Sequence, residues 1–202
     1  MKAKRLDTRR MVLLAMLSGI LLIMSFTPLG YLNIGPLAIS LNMIPVAIGA
    51  VALGPGGGAF LGAVFGITSC LQCVGIGGIS QMGVILFEIS PILTILQRFA
   101  TRVLAGWLTG IVFKLLHRPR FPLASYIAGF SAALFNTVFF MAALVLLFGS
   151  TDYLQDMIAG RNILLFIVSF VGINAVVEMF AATVAVGIVC KALEKLRMIG
   201  GK

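Results

Sequence analysis

The chain has 202 residues, 60% hydrophobic and only 10% charged, with a mean hydropathy of +1.13. A soluble domain carries about 25% charged residues, so the repeated apolar runs point instead to an α-helical membrane protein. The net charge of +9 is not a nucleic-acid signature, because the basic residues sit in short clusters beside the apolar runs.

A bilayer's hydrocarbon core is roughly 30 Å thick, which a helix crosses in about 20 residues. Six segments are expected, forming a single integral membrane domain over residues 1–202. The first spans about 10–26. Its basic lead-in has no convincing cleavage site after it, so it reads as a span rather than a removable leader. "TPLGYLNIGPL" then carries turn punctuation at Pro28, Gly30, Gly35 and Pro36. The second segment covers about 38–53, "GPGGG" at 54–58 reads as a tight turn, and the third covers about 59–71. A weakly polar stretch reaches Pro91. The fourth segment covers about 92–116, the fifth about 123–148 and the last about 161–190, with polar loops between them.

Six crossings place both termini on one side. With that side inside, only Arg98, Arg102 and Arg161 of the fifteen Lys and Arg residues lie outside. The positive-inside bias therefore predicts an all-α, six-transmembrane-helix bundle with N- and C-terminus both cytoplasmic.

Polar residues at membrane depth mark the candidate site. Asn174 and Glu178 sit four apart in the last segment, on one helical face. A charge at that depth costs on the order of 2.5–3.5 kcal/mol on insertion scales, so it normally faces a partner or a watery cavity. Neighbouring-helix glue is the alternative. In the fifth segment Gly129, Ala133 and Asn136 follow helical spacing, which lets helices approach and brings Asn136 toward Asn174 or Glu178. Arg98 and Arg102 share a face near the outer end of the fourth segment, against the charge bias. A guanidinium there grips a carboxylate or phosphate, snorkels to lipid phosphate, or pairs with Glu88. Outer loops offer Tyr31, Asn33, Gln72 and Gln81, with Gly75, Gly77 and Gly78 for mobility. Ala15 and Gly19 form a small-x-x-x-small pair suited to close docking of another helix, inside the bundle or outside it.

Other chemistry is poorly represented. Cys70 and Cys73 form a lone C-x-x-C without His or a second Cys pair, and with Cys190 they read as small buried residues rather than a metal site. There is no P-loop, and no second acid, His or Ser–Lys set at matching depth for an intramembrane enzyme. His117 lies in a basic loop. No cofactor is expected.

"LNMIPVAIGAVALGPGGGAFLGAVFGITS", "TRVLAGWLTGIVFKLL", "FNTVFFM" and "FVGINAVVEM", in this order over nearly the whole chain, resemble the substrate-binding S component of energy-coupling factor (ECF) vitamin transporters. Within the family the chain looks most similar to the pantothenate-type members. The resemblance implies a bacterial plasma-membrane protein that captures a vitamin from outside. It implies no ATP hydrolysis by this chain, since energy comes from a transmembrane coupling (T) subunit and two ABC ATPases. On the family pattern Ala15 and Gly19 contact the coupling subunit, with Gly where Ala is typical. The pocket would draw on Asn136, Asn174, Glu178, Arg102, Arg98, Asn33, Tyr31 and Gln81. Alternatives are another vitamin (riboflavin, folate, cobalamin or a precursor) or a stand-alone proton-coupled transporter relaying through Glu178.

Overall fold

The computed structural model describes residues 8–33, 38–78, 80–116, 123–160 and 162–195. The terminal residues 1–7 and 196–202, the 117–122 connection with His117, and Arg161 lie outside the described residues. In chain order the elements are α1 (Thr8–Phe26), a 3-10 turn (Pro28–Gly30), β1 (Tyr31–Asn33), β2 (Ala38–Ser40), α2 (Met43–Leu53), α3 (Pro55–Cys73), α4 (Gln81–Ile89), α5 (Pro91–Leu116), α6 (Ala124–Phe148), α7 (Asp152–Ile158) and α8 (Ile163–Lys195).

Five of these helices are long and apolar enough to cross a membrane; α2 is apolar but shorter. At about 1.5 Å per residue, 33-residue α8 runs roughly 50 Å, longer than the hydrocarbon is thick. The expected segments correspond to α1, α2, α3, α5, α6 and α8, with three differences. Residues 38–40 are not helical; they form β2, which pairs antiparallel with β1 in the register Tyr31↔Ser40, Leu32↔Ile39, Asn33↔Ala38. The fold is therefore helical with one small hairpin. The stretch 54–58 is not a loop: only Gly54, at φ 82°, makes the turn, and Pro55 opens α3 at once. Proline suits a first helical position, where its missing N–H has no partner to lose. Finally, the connections before α5 and α8 contain α4 and α7. Their N-caps Ser80 and Thr151 accept hydrogen bonds from the backbone N–H of Gly83 and Leu154.

The tightest contact is between α3 and α5. Gly58 and Gly106 face each other so closely that a Cβ on either would strike the other's carbonyl; Gly62 meets the Arg102 backbone and Gly66 the Phe99 backbone. Lipid tails are as apolar as leucine, so helices in a bilayer associate through close packing of this kind. On the far side of the bundle, Gly129 of α6 meets the Ala182 carbonyl of α8. By contrast, α1 is peripheral. Leu13, Leu17, Leu21 and Ser25, one residue every four, are its buried stripe, and Met11, Met16, Ile20 and Ile23 point outward.

Two apolar clusters divide the bundle lengthwise. One, around Leu17, Val46, Leu61, Phe65, Phe113 and Val186, fills the half containing the α2–α3 turn. The other, around Leu86, Leu144, Phe148, Leu154 and Phe166, packs α4 and α7 onto α6 and α8. Apart from Arg98 and Arg102, the described basic residues (Arg9, Arg10, Lys114, Lys191 and Lys195) belong to the first end. There Lys114 shares a cleft with Gly54 and Pro55, and the Lys191 ammonium lies 4.8 Å from the Tyr126 ring centroid.

Adding bulk at the α3–α5 contact should be costly. Gly106→Leu is expected to lose about 1–3 kcal/mol or more through overpacking, read as a lower thermal midpoint in detergent. Gly56→Ala, where an added Cβ meets nothing within 4 Å, should leave the midpoint unchanged or slightly raised.

Candidate ligand-binding site

At the end of the bundle opposite the basic cluster lies a cavity of about 370 Å³, toward the lower end of the roughly 300–1,000 Å³ typical of small-molecule sites. Its walls come from α3, α5, α6 and α8. Its roof comes from the end of α1, the hairpin and the α3–α4 loop. Polar groups of unlike charge stand on different walls.

The basic wall is α5 backed by α3. Arg98 is 95% buried, and its Nη1 and Nη2 donate to Ser69 Oγ (2.9 Å) and Ser80 Oγ (3.0 Å). Arg102 donates from Nη1 to the Arg98 carbonyl at 2.9 Å, and its guanidinium lies 4.6 Å from the Phe65 ring centroid and 5.8 Å from that of Phe140. A cation over an aromatic face is attracted by the ring's negative centre. Each guanidinium nevertheless keeps a buried Nε with no hydrogen-bond partner. Among the described residues neither pairs with a carboxylate, and Glu88 is exposed on α4.

The opposite wall carries Asn136 on α6 and Asn174 and Glu178 on α8, all buried and all lining the cavity. Asn136 Oδ1 has no partner. One oxygen of Glu178 accepts the backbone N–H of Ser40, tying β2 to α8. Phe140, Met141 and Val171 add an apolar surface between the walls. At the roof, Tyr31 donates to Gln72 Oε1 (2.9 Å), and the Gln72 amide donates to the Ser25 carbonyl (2.7 Å).

Of the residues singled out in the sequence, Asn136, Asn174, Glu178, Arg98, Arg102 and Tyr31 come together on this one cavity. Gln81 does not join them: it is exposed at the start of α4, and its neighbour Ser80 takes the lining position. The side chain of Asn33 lies outside the described residues. Ala15 and Gly19 are remote from the cavity, on the outward side of α1, where a Cβ on Gly19 would meet nothing within 4 Å. Ser69, Ser80 and Ser25 were missed, because a hydroxyl in an apolar stretch carries no sequence signal unless its partner is known. Gln72, expected in a loop beyond residue 71, instead lies in the last turn of α3.

Among the described residues no three potential metal ligands cluster. Cys73 and Cys190 are buried and Cys70 half-buried, all three as free thiols.

A family model described as "ECF transporter, substrate-specific component" matches residues 9–190. The chain belongs to that family. This S component is similar to the pantothenate transporter PanT of Leuconostoc mesenteroides subsp. mesenteroides, with 27% identity over 195 residues and 92% of each chain covered. It is a multi-pass protein of the bacterial plasma membrane, in a family that binds and carries solutes.

The Glu178 tether has a measurable consequence. Glu178→Ala should speed backbone hydrogen exchange at Ser40 by about tenfold or more, the loss of one charge-assisted bond. Exchange in α3 and α5 should not change. Glu178→Gln, which keeps a carbonyl acceptor, should retain most of the protection.

Proposed function

We propose that this S component captures a small hydrophilic vitamin bearing one carboxylate, pantothenate being the leading ligand, and passes it inward through partner subunits. The observation that carries this reading is the pair of buried guanidinium groups, each with an unpartnered Nε, facing an amide and acid wall across one cavity. Even with Glu178 counted as a full negative charge, two guanidiniums leave a surplus of positive charge for an anion. Pantothenate supplies one carboxylate for Arg102 and Arg98, and hydroxyls and an amide for Asn136, Asn174 and Glu178. Tyr31 stands above, and Asn33 on the same hairpin is kept as a candidate. The likeness to a pantothenate transporter supports the choice of ligand.

In the orientation that fits the charge distribution, the basic end is cytoplasmic and the cavity opens outward. Both termini are then inside, and α2 together with the hairpin completes the sixth crossing of a single domain. Energy comes from a transmembrane coupling subunit and two ABC ATPases. The exposed side of α1, with Ala15 and the open space at Gly19, is the surface offered to the coupling subunit, because small residues let a second helix approach closely.

Radiolabelled pantothenate should bind the purified protein saturably below micromolar concentration. Absence of such binding, or mass-spectrometric identification of another bound vitamin after purification, redirects the ligand assignment; a yellow preparation would indicate riboflavin and a red one a corrinoid. Arg102→Ala should weaken pantothenate binding about thirtyfold or more, since stranding a buried charge partner costs roughly 2–5 kcal/mol. Gly19→Leu should leave ligand binding intact and lower ATP-driven uptake in vesicles containing the whole transporter. Unchanged uptake would remove α1 from the coupling interface.

A further inference from the structure

We propose that Ser80 is a third anion-binding group of the cavity, donating its hydroxyl proton to the ligand's carboxylate while it holds Arg98 in place. The inference deepens the reading given above and rests on it. A serine hydroxyl has two acceptor lone pairs and one donor. At Ser80 both acceptor positions are filled: the backbone N–H of Gly83 donates to Oγ at 3.3 Å and Arg98 Nη2 donates at 3.0 Å. What remains of the group is its O–H, and Ser80 lines the cavity. A hydroxyl whose lone pairs are both engaged by donors, one of them cationic, is polarised as a donor and offers nothing to another donor.

The neighbouring guanidinium leaves room for the same ligand group. Arg98 has five N–H donors, and its hydrogen bonds to Ser69 and Ser80 use two of them. Its Nε is buried and unpartnered. Each Nη keeps a second N–H and Arg98 lines the cavity, so a carboxylate can be gripped there with both serines still in place, and Ser80 O–H adds a donor at its edge. Ser80 also belongs to the roof. It follows a turn in which Gly75, Gly77 and Gly78 all have positive φ, and a Cβ at Gly77 would collide with the Phe26 ring. Engaging a carboxylate through Ser80 and Arg98 thus fastens this part of the roof to α5. The site selects for negative charge where the hydroxyl recognition of Asn136 cannot.

The test compares pantothenate with its uncharged carboxamide, pantothenamide, in the purified full-length protein. Wild type should prefer the acid strongly. Ser80→Ala should weaken binding of the acid by about tenfold while changing affinity for the carboxamide by less than about twofold. Ser80→Thr, which restores a hydroxyl, should recover the acid preference. Ser80→Gly, which keeps most of the N-cap of α4, should behave like Ser80→Ala. If Ser80→Ala weakens both ligands equally, or neither, the hydroxyl does not read the carboxylate and the proposal is overturned. If wild type itself binds acid and carboxamide alike, the arginine–carboxylate reading fails first, and this proposal with it.

Discussion

The contact on which the rest depends is the glycine-to-backbone approach of α3 and α5. Where Gly58 meets Gly106 and Gly62 meets the backbone of Arg102, no side chain separates the two helices. The side chains that flank this seam are consequently forced close. Phe65 lies against the Arg102 guanidinium and Ser69 against that of Arg98. Two like charges four residues apart on one helix repel each other, and each also loses hydration at membrane depth. They persist because α3 supplies a ring face and a hydroxyl at short range. A wider α3–α5 spacing would leave both cations without these partners.

Compensation is nevertheless partial, and it is partial in a directed way. The buried groups with an unpartnered atom include the Nε of both arginines and Oδ1 of Asn136, all on cavity-lining residues. Buried polar atoms are ordinarily satisfied; Asn42 and Gln97, which do not line the cavity, also carry unpartnered atoms, but the residues with unpartnered charged groups both line it. Glu178 stands across the cavity from Arg102, and one of its oxygens accepts the Ser40 N–H. The acid thereby holds the hairpin, and one acid against two guanidiniums leaves the cavity with an excess of positive charge.

The spans were legible because a long apolar run has few interpretations, and the depth of Asn136, Asn174, Glu178, Arg98 and Arg102 was legible with them. Three-residue strands are too short for alternation to register, so β2 was absorbed into the second helix. Glycines 56–58 looked like a turn because sequence alone cannot tell a flexible glycine from one selected for closeness. Gly58 is helical and is needed for lack of a side chain, whereas Gly54 is needed for its φ of 82°. Gln81 is a polar loop residue by sequence and Ser80 carries no signal there; the helix start turns Gln81 to solvent and directs Ser80 at Arg98.

One helix joins the cavity to the outer surface of the bundle. α1 meets the remainder through a stripe only one residue wide per turn, which leaves its other sides exposed. Its last buried residue, Ser25, accepts from the Gln72 amide through its carbonyl and from Thr68 through its hydroxyl. Gln72 in turn accepts from Tyr31 on the hairpin. The roof over the ligand is thus hung from the end of the same rigid rod that carries Ala15 and Gly19. A protein that docked along that exposed side and displaced α1 would act on Ser25, Gln72 and Tyr31 in sequence. Thr68 and Gln72 belong to α3 itself, and Phe26 packs against Gly77 in the turn before Ser80, so such a displacement would reach both the roof and the wall that carries the arginines.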